Sequence, residues 1–422
     1  MTASISSNVP LTQPQASPMS FSGRRGDFLK MLVAGSLYQI PTFGFYRFWL
    51  TTKLRRHLWA NTQVEGESFE YTGTAKELLV GFLIALAVLA PLYIALFVLS
   101  QAFEEIAAFA SIPLVLILYV LAHYGSYRAR RYRATRTVFR GVRFWMKGSG
   151  WAYAFRAVLW DFATILTAGL ALPWAMASLE RYRMRHTYFG TVQGDFSGTG
   201  WSLFKRGWWI WAIGIVLIGA LGLGSTDLIS SLAEGEYDPE DTAGAFFQTA
   251  YWVAQLLIGG LLLIYIALAP LVMAIFTRWH LDGVRFGDAA VSSKLRIGTF
   301  YGLFFKTLFS SIGFTIAFIA VFALGALVLS IVFQDAMADI KAERWTAGAI
   351  LISVLGALAY LVFLLGFGVI QRYFYGRGLW AAIVTTTAVS NLPALNAAVA
   401  AGQPSGTVGE GLADALDFNV GI

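Results

Sequence analysis

The chain has 422 residues, 57% of them hydrophobic and only 13% charged, with a mean hydropathy of +0.63, against about 25% charged for an average soluble domain. That composition marks a membrane protein, and the absence of any cysteine excludes disulfides, thiolate metal sites, cysteine nucleophiles and palmitoylation. The formal charge of +7 is what basic cytoplasmic loops give a polytopic protein, with anionic lipid headgroups as the first acidic partner and no call for nucleic acid.

In chain order, residues 1–20 are rich in Ser, Pro and Gln, carry no basic residue and predict a disordered tail without a signal peptide. Residues 28–50 form an apolar run long enough to cross a bilayer but interrupted by Lys30, Gln39, Pro41 and Arg47. The segment after it, "NTQVEGESFEYTGT", alternates around Glu65-Gly66 as a β-hairpin does. Uninterrupted apolar runs follow at 78–100, 106–123, 208–224, 249–276, 307–333 and 345–370, each close to the roughly 20 residues that cross a bilayer core. A second interrupted run, 152–179, contains Arg156, Asp161 and Pro173. The expected fold is therefore an all-α polytopic membrane protein with six transmembrane helices, two broken or re-entrant helical segments, eight crossings if those span, and short cytoplasmic β-hairpins.

The two interrupted runs are copies of one unit at an offset of 125 residues. Thr42, Gly44, Trp49, Arg56, Gly73 and Thr74 coincide with Thr167, Gly169, Trp174, Arg181, Gly198 and Thr199. A degenerate third version lies at 301–316, and the tetrapeptide Gly-Val-Arg-Phe recurs at 141–144 and 283–286. These repeats divide the chain into membrane units at 21–125, 126–277 and 278–390, between the N-terminal tail and a C-terminal tail at 391–422. In the latter, Glu410, Asp414 and Asp417 could meet the basic segments.

The phrases "FSGRRGDFLKM", "TFGFYRFW", "LRRHLWANT", "FEYTGT", "RGVRF", "TAGLALPWA", "RYRMRHT" and "GEGLADALDFNVGI" resemble the YjgN family of bacterial inner-membrane proteins, from residue 21 to the last. The resemblance implies a multi-pass inner-membrane protein without a transferable active site. It also implies a possible protein partner, since members tend to sit beside a zinc metalloprotease of the M48 type. Arg47-Phe48 stands where the family has Ser-Pro before Trp49, whereas Leu172-Pro173-Trp174 keeps the proline.

Charge sets the expected topology. The segments holding Lys53, Arg55, Arg56 and His57, then Arg130 and Arg131, then Arg181, Arg183 and Arg185, then Arg278, then Arg372 are basic; those at 101–105, 227–241 and 335–344 are acidic or neutral. The basic segments and the C-terminus belong in the cytoplasm by the positive-inside rule. Both ends of 28–50 and of 152–179 are then basic, which favours helical hairpins that turn at Thr42-x-Gly44 and Thr167-x-Gly169 and return. Two further crossings that obey the charge rule weakly are the alternative.

The basic residues are candidates for headgroup contact; Thr42, Gly44, Trp49, Thr167, Gly169 and Trp174 for a turn or a path; and Arg156 and Asp161 for a polar pocket, against the plainer reading of Arg156 snorkelling and Asp161 bonded to a neighbouring helix. With only His57, His123, His186 and His280 as histidines and no catalytic or nucleotide motif, the expectation is a protein without catalytic residues, metal or cofactor. It would act in transport or lipid interaction, or as a scaffold for another protein such as a membrane metalloprotease.

Overall fold

The computed structural model of the chain describes residues 16–102, 104–233, 242–403 and 406. Short strands alternate with pairs of helices. The strands are β1 (Ala16–Phe21), β2 (Thr62–Val64), β3 (Glu67–Tyr71), β4 (Thr137–Phe139), β5 (Val142–Met146), β6 (Thr187–Phe189), β7 (Val192–Phe196), β8 (Val284–Phe286), β9 (Ala289–Ser293) and β10 (Thr387–Ser390). All pair antiparallel with their neighbours, and β1 pairs with both β2 and β10, so the sheet closes into a ten-stranded barrel. Closure removes the free edges that strands of three to six residues would otherwise expose.

The tight turns carry the residues that such hairpins need. Glu65-Gly66 and Arg140-Gly141 both have positive φ throughout, at 51° and 84° and at 51° and 73°, the twist that matches two paired strands. The barrel is filled rather than hollow. Phe69, Phe139, Phe189, Phe144 and Phe286 follow one another around the lumen with ring centroids 4.6, 6.3, 4.8 and 5.7 Å apart. Val64 and Leu392 are buried with them. Leu392 belongs to the 3-10 turn Leu392–Ala397, which lies across the turn end of the barrel, where Arg140 donates to Asn396 Oδ1 at 2.9 Å.

Five helical modules stand on the other rim. The helices are α1 (Arg25–Leu37), α2 (Arg47–Ala60), α3 (Ala75–Ala102), α4 (Glu104–Thr135), α5 (Gly150–Leu166), α6 (Leu172–Arg185), α7 (Gly200–Ala233), α8 (Thr242–Gly283), α9 (Ile297–Val332), α10 (Gln334–Lys341), α11 (Ala347–Ile370) and α12 (Gly378–Thr386), a π-helical turn joining the last two. One backbone hydrogen bond closes the base of each module: Ser22 N to Asn61 O, Thr72 N to Arg136 O, Lys147 N to His186 O, Ser197 N to Gly283 O and Lys294 N to Thr386 O. Each module thus leaves the barrel and comes back to it. The returning helices α2, α4, α6, α8 and α12 form an inner ring, and α1, α3, α5, α7 and α9 wedge between them.

A repeated sequence device sets three of the five departures. Gly23, Gly73 and Gly198 sit beneath the ring of the aromatic residue two positions earlier, and a Cβ there would lie 2.5–2.6 Å from Phe21, Tyr71 or Phe196. In the fifth module Ser293 replaces the aromatic and Leu295, 1% exposed, fills the space of the glycine. Five residues further on, Phe28, Leu78, Tyr153, Leu203 and Phe300 are all buried and anchor the departing helix.

The all-α expectation is therefore corrected by the closed barrel: the strands are too short to announce a sheet, and the barrel exists only because four distant hairpins and the pair of β1 with β10 meet. The number of crossings is also corrected. Five helical stretches among the described residues are long and apolar enough to cross a membrane, 75–99, 112–135, 262–283, 297–332 and 347–386, not six to eight. The expected crossing at 208–224 lies in α7, whose side chains from residue 220 onward lie outside the described residues.

The segments 28–50 and 152–179 are pairs of short helices. α1, α2, α5 and α6 have 13, 14, 17 and 14 residues, roughly 20–26 Å of helix against a hydrocarbon core of about 30 Å. Residues 16–20, expected in a disordered tail, form most of β1. The acidic tail residues Glu410, Asp414 and Asp417 lie outside the described residues.

Candidate functional site

The inner ring of helices brings charge together at the membrane-side floor of the barrel. Arg55, Arg130 and Glu180 occupy one position in their modules, seven residues before Thr62, Thr137 and Thr187 open the next strand. Arg133, Arg183 and His280 stand four residues before Thr137, Thr187 and Val284. On a helix these two positions share a face, and Arg130, Glu180, Arg183 and His280 meet there.

Glu180, 3% exposed, is the centre of the cluster. It pairs with Arg130 of α4 at 2.8 Å, with Arg183 of its own helix at 3.0 Å and with His280 of α8 at 3.8 Å. Burial opposes its ionisation, but Arg130, then Arg183 and His280, outweigh that and hold the carboxyl down at about 2. Arg55, also buried, donates to the Tyr71 hydroxyl at 3.2 Å and lies over its ring. The side chains of Arg130, Arg183 and His280 stay 26%, 25% and 27% exposed, so whatever approaches meets two guanidinium groups and an imidazole rather than the carboxylate.

The other basic residues point elsewhere. Arg56 and Arg181 donate to the carbonyls of Gly73 and Gly198 at 2.8 and 3.1 Å, tying each returning helix to the start of the next departing one. Lys53 is exposed and donates to Tyr46 at 2.8 Å. Arg185 is exposed and pairs with Asp195 at 2.9 Å, and Arg278 is exposed on α8. Arg131 is half-buried on α4, and Arg372 lies in the π-helical turn. His57 packs against Phe28, and burial, then Arg377, lower its pKa against the opposing pull of Asp27. The eleven basic candidates thus divide into an axial group, a strapping group and a peripheral group.

Thr42 and Gly44, with Thr167 and Gly169, form the tips of the two short hairpins. Thr42 Oγ1 donates to Tyr38 O and accepts from Tyr46 N at 3.1 Å; Thr167 Oγ1 donates to Ala163 O and accepts from Ala171 N at 3.0 Å. Gly44 N and Gly169 N donate to Gln39 O and Thr164 O at 2.8 and 2.7 Å, with φ of +85° and +90° that favour glycine. These tips bond their own backbone, the condition for leaving a helix in hydrocarbon. Their side chains are apolar and open: Phe43 is 92% exposed and Ile165 77%. Trp49 stacks on Tyr46, and Trp174 packs against Phe204 and under Gly200.

Arg156 and Asp161 do not meet each other. Asp161 accepts from the Tyr119 hydroxyl and lies 3.0 Å from His123 Nε2 on α4, whereas Arg156 lies over the Tyr182 ring of α6. Sequence reasoning missed His123 and Tyr119 as partners, and it missed Glu180 and His280. The signal for Glu180 was available: it replaces an arginine at a repeated position. Among the described residues no group of three or more metal-binding side chains comes together.

Five helical stretches among the described residues, long and apolar enough to cross a membrane and mounted on a filled barrel, mark a membrane protein with a basic cluster on its axis. The chain belongs to the family described as bacterial protein of unknown function (DUF898), whose family model matches residues 16–415, in agreement with the YjgN resemblance of its motifs. No curated protein and no solved structure matches the chain.

Proposed function

We propose that this protein is a non-enzymatic lipid-handling protein of the bacterial inner membrane, with the barrel on the cytoplasmic side. The observation that carries the reading is the asymmetry of the axis. On the barrel side it is shut by the phenylalanine-filled lumen and Leu392. On the membrane side two of five modules stop after helices of 13 to 17 residues, while α3, α4, α7, α8 and α9 run for 28 or more. Beyond those tips no described helix of the two short modules continues the ring, and on this reading the axis meets acyl chains rather than an aqueous channel.

Basic helix ends at the barrel rim suit anionic headgroups, and the sparse ionisable groups within the long helices suit a lipid better than an ion. Purified protein in vesicles holding a trace of fluorescent phosphatidylglycerol tests this. Lipid exchange between leaflets above that of protein-free vesicles supports the reading, and exchange no faster than that background opposes it.

The second reading is a scaffold for a protein partner such as a membrane metalloprotease. It is favoured by the charged turn end of the barrel, where Glu65 and Glu67 face Arg140 at 3.2 and 2.7 Å. A stoichiometric protein retained in mild detergent supports it, and lipid without protein supports the first.

A further inference from the structure

We propose that the seam between the fifth and first modules, at the start of α1, binds a phosphate group, that of a phospholipid in the leaflet facing the barrel. The inference rests on the lipid-handling reading, names its ligand and lies apart from the axial cluster.

Three modules cap their departing helix with a hydroxyl. Thr74, Ser149 and Thr199 follow Gly73, Gly148 and Gly198, and their hydroxyls accept from Glu77 N, Ala152 N and Ser202 N at 3.3, 3.3 and 3.1 Å. In the first module Arg24 takes that position after Gly23, and α1 starts without a side-chain cap. First-turn N–H groups that no side chain takes attract an anion. Arg24 and Arg25 are both exposed there, and neither side chain has a hydrogen-bond or ion-pair partner among the described residues.

Buried donors stand against the same spot. Arg377, 7% exposed, reaches across from the fifth module and donates through Nη2 to Gly23 O, while its Nε is buried without a hydrogen bond. His57 Nε2 is likewise buried without one and stands 3.2 Å from where a Cβ on Gly23 would lie. Asn61 Nδ2 lies 3.5 Å from His57 Nδ1, which assigns the ring proton to Nε2. Two nitrogens able to donate thus adjoin the residue before the missing cap, and buried polar atoms of this kind ordinarily have partners. Among the described residues no carboxylate pairs with either; Asp27, exposed in the first turn of α1, acts on His57 only through its charge. Arg25 and Arg377 face each other as like charges, a repulsion that a bound anion relieves. The start of α9 is also uncapped, at Arg296, but Leu295 and not a glycine precedes it.

The source of the phosphate follows from α1 itself. Arg25, Leu29, Val33 and Leu37 form one i, i+4 ridge, all exposed. It runs about 18 Å from the charged start toward the hairpin tip, so a phosphate seated at the start has its acyl chains along leucine and valine. A soluble phosphate ester makes no use of that ridge.

The test titrates the purified protein in neutral detergent with dioleoylphosphatidylglycerol, dioleoylglycerol or glycerol phosphate, reading bound ligand by native mass spectrometry. Phosphatidylglycerol should bind at least about tenfold more tightly than either fragment. Arg24→Thr restores the hydroxyl cap of the other modules. It should weaken phosphatidylglycerol binding about tenfold yet unfold at the same or a higher temperature than wild type, a combination that a folding defect does not give. Arg25→Gln should weaken binding similarly, Asp27→Asn should tighten it several-fold, and Arg296→Thr should leave it unchanged.

No binding of phosphatidylglycerol by the wild type, or no weakening in Arg24→Thr and Arg25→Gln, overturns the seam as the site, as does equal weakening in Arg296→Thr. Dioleoylglycerol binding as tightly as phosphatidylglycerol overturns the phosphate as the recognised group. Glycerol phosphate binding as tightly overturns the lipid as its source. The lipid-handling reading fails separately, when vesicle exchange stays at background.

Discussion

Replacing Glu180 with glutamine removes a buried charge that three basic side chains from three helices surround. The carboxyl loses its proton at about 2 instead of the ordinary 4.5, which makes its ionisation worth about 3 kcal/mol of native stability at neutral pH. Leaving Arg130 and Arg183 without their counter-charge gives a similar figure, about 3–5 kcal/mol for breaking one side of a buried pair. The sign in pH follows from the folded value lying below the unfolded one. The contribution is fully present above 4.5 and is lost as pH falls from there toward 2. Denaturant unfolding of wild type and Glu180→Gln in mild detergent, between neutral pH and pH about 3, reads the difference directly. The wild type should lead by several kcal/mol at neutral pH, and most of that lead should vanish at the acid end. A lead that is absent at neutral pH, or that stays constant on acidification, refutes the assignment of Glu180 as an ionised clamp.

Gly198→Ala should cost about 1–3 kcal/mol, because the new Cβ meets the Phe196 ring at 2.5 Å. The double change Phe196→Ser with Gly198→Leu, which copies Ser293 and Leu295, should unfold at a higher temperature than Gly198→Leu alone. Gly44→Ala and Gly169→Ala should each lower stability by about 1–2 kcal/mol through backbone strain alone at Gly44, which has open space around it. Asp161→Asn, which keeps an acceptor for Tyr119, should be milder than Asp161→Leu, which strands two donors at about 1–3 kcal/mol each; thermal unfolding of the two variants ranks them.

Much of the local structure is written in the sequence, and the global closure is not. At the 125-residue offset the local bonds match: the turns at Gly44 and Gly169 share each backbone bond described above, and Arg56 and Arg181 donate to the carbonyls of Gly73 and Gly198. The Glu65-Gly66 hairpin is legible from its turn residues alone. The barrel is hidden for two physical reasons. The first strand of each hairpin has three residues, below the length at which alternation is a signal, and the closing strand β1 lies some 370 residues before its partner β10.

Module length hides the five-fold pattern too. Insertions lengthen the helices of three modules, so only the two short copies with their following helix starts align without gaps. For the site, arginines at repeated positions are visible in the sequence. Which of them face inward depends on the ring, and this separates Arg55 and Arg130 from Arg56 and Arg131 although they are neighbours in the chain.

The account stands on the short hairpins turning back within the bilayer, and the cysteine-free chain lets single introduced cysteines report it. Ser22 and Asn61 are joined by a backbone hydrogen bond of 3.0 Å at the base of the first module, and Phe43 is its tip. In sealed vesicles of known orientation, cysteines at Ser22 and Asn61 should react with a membrane-impermeant maleimide from the same side, and a cysteine at Phe43 from neither. Labelling of Ser22 and Asn61 from opposite sides, or of Phe43 from the side away from the barrel, would contradict it.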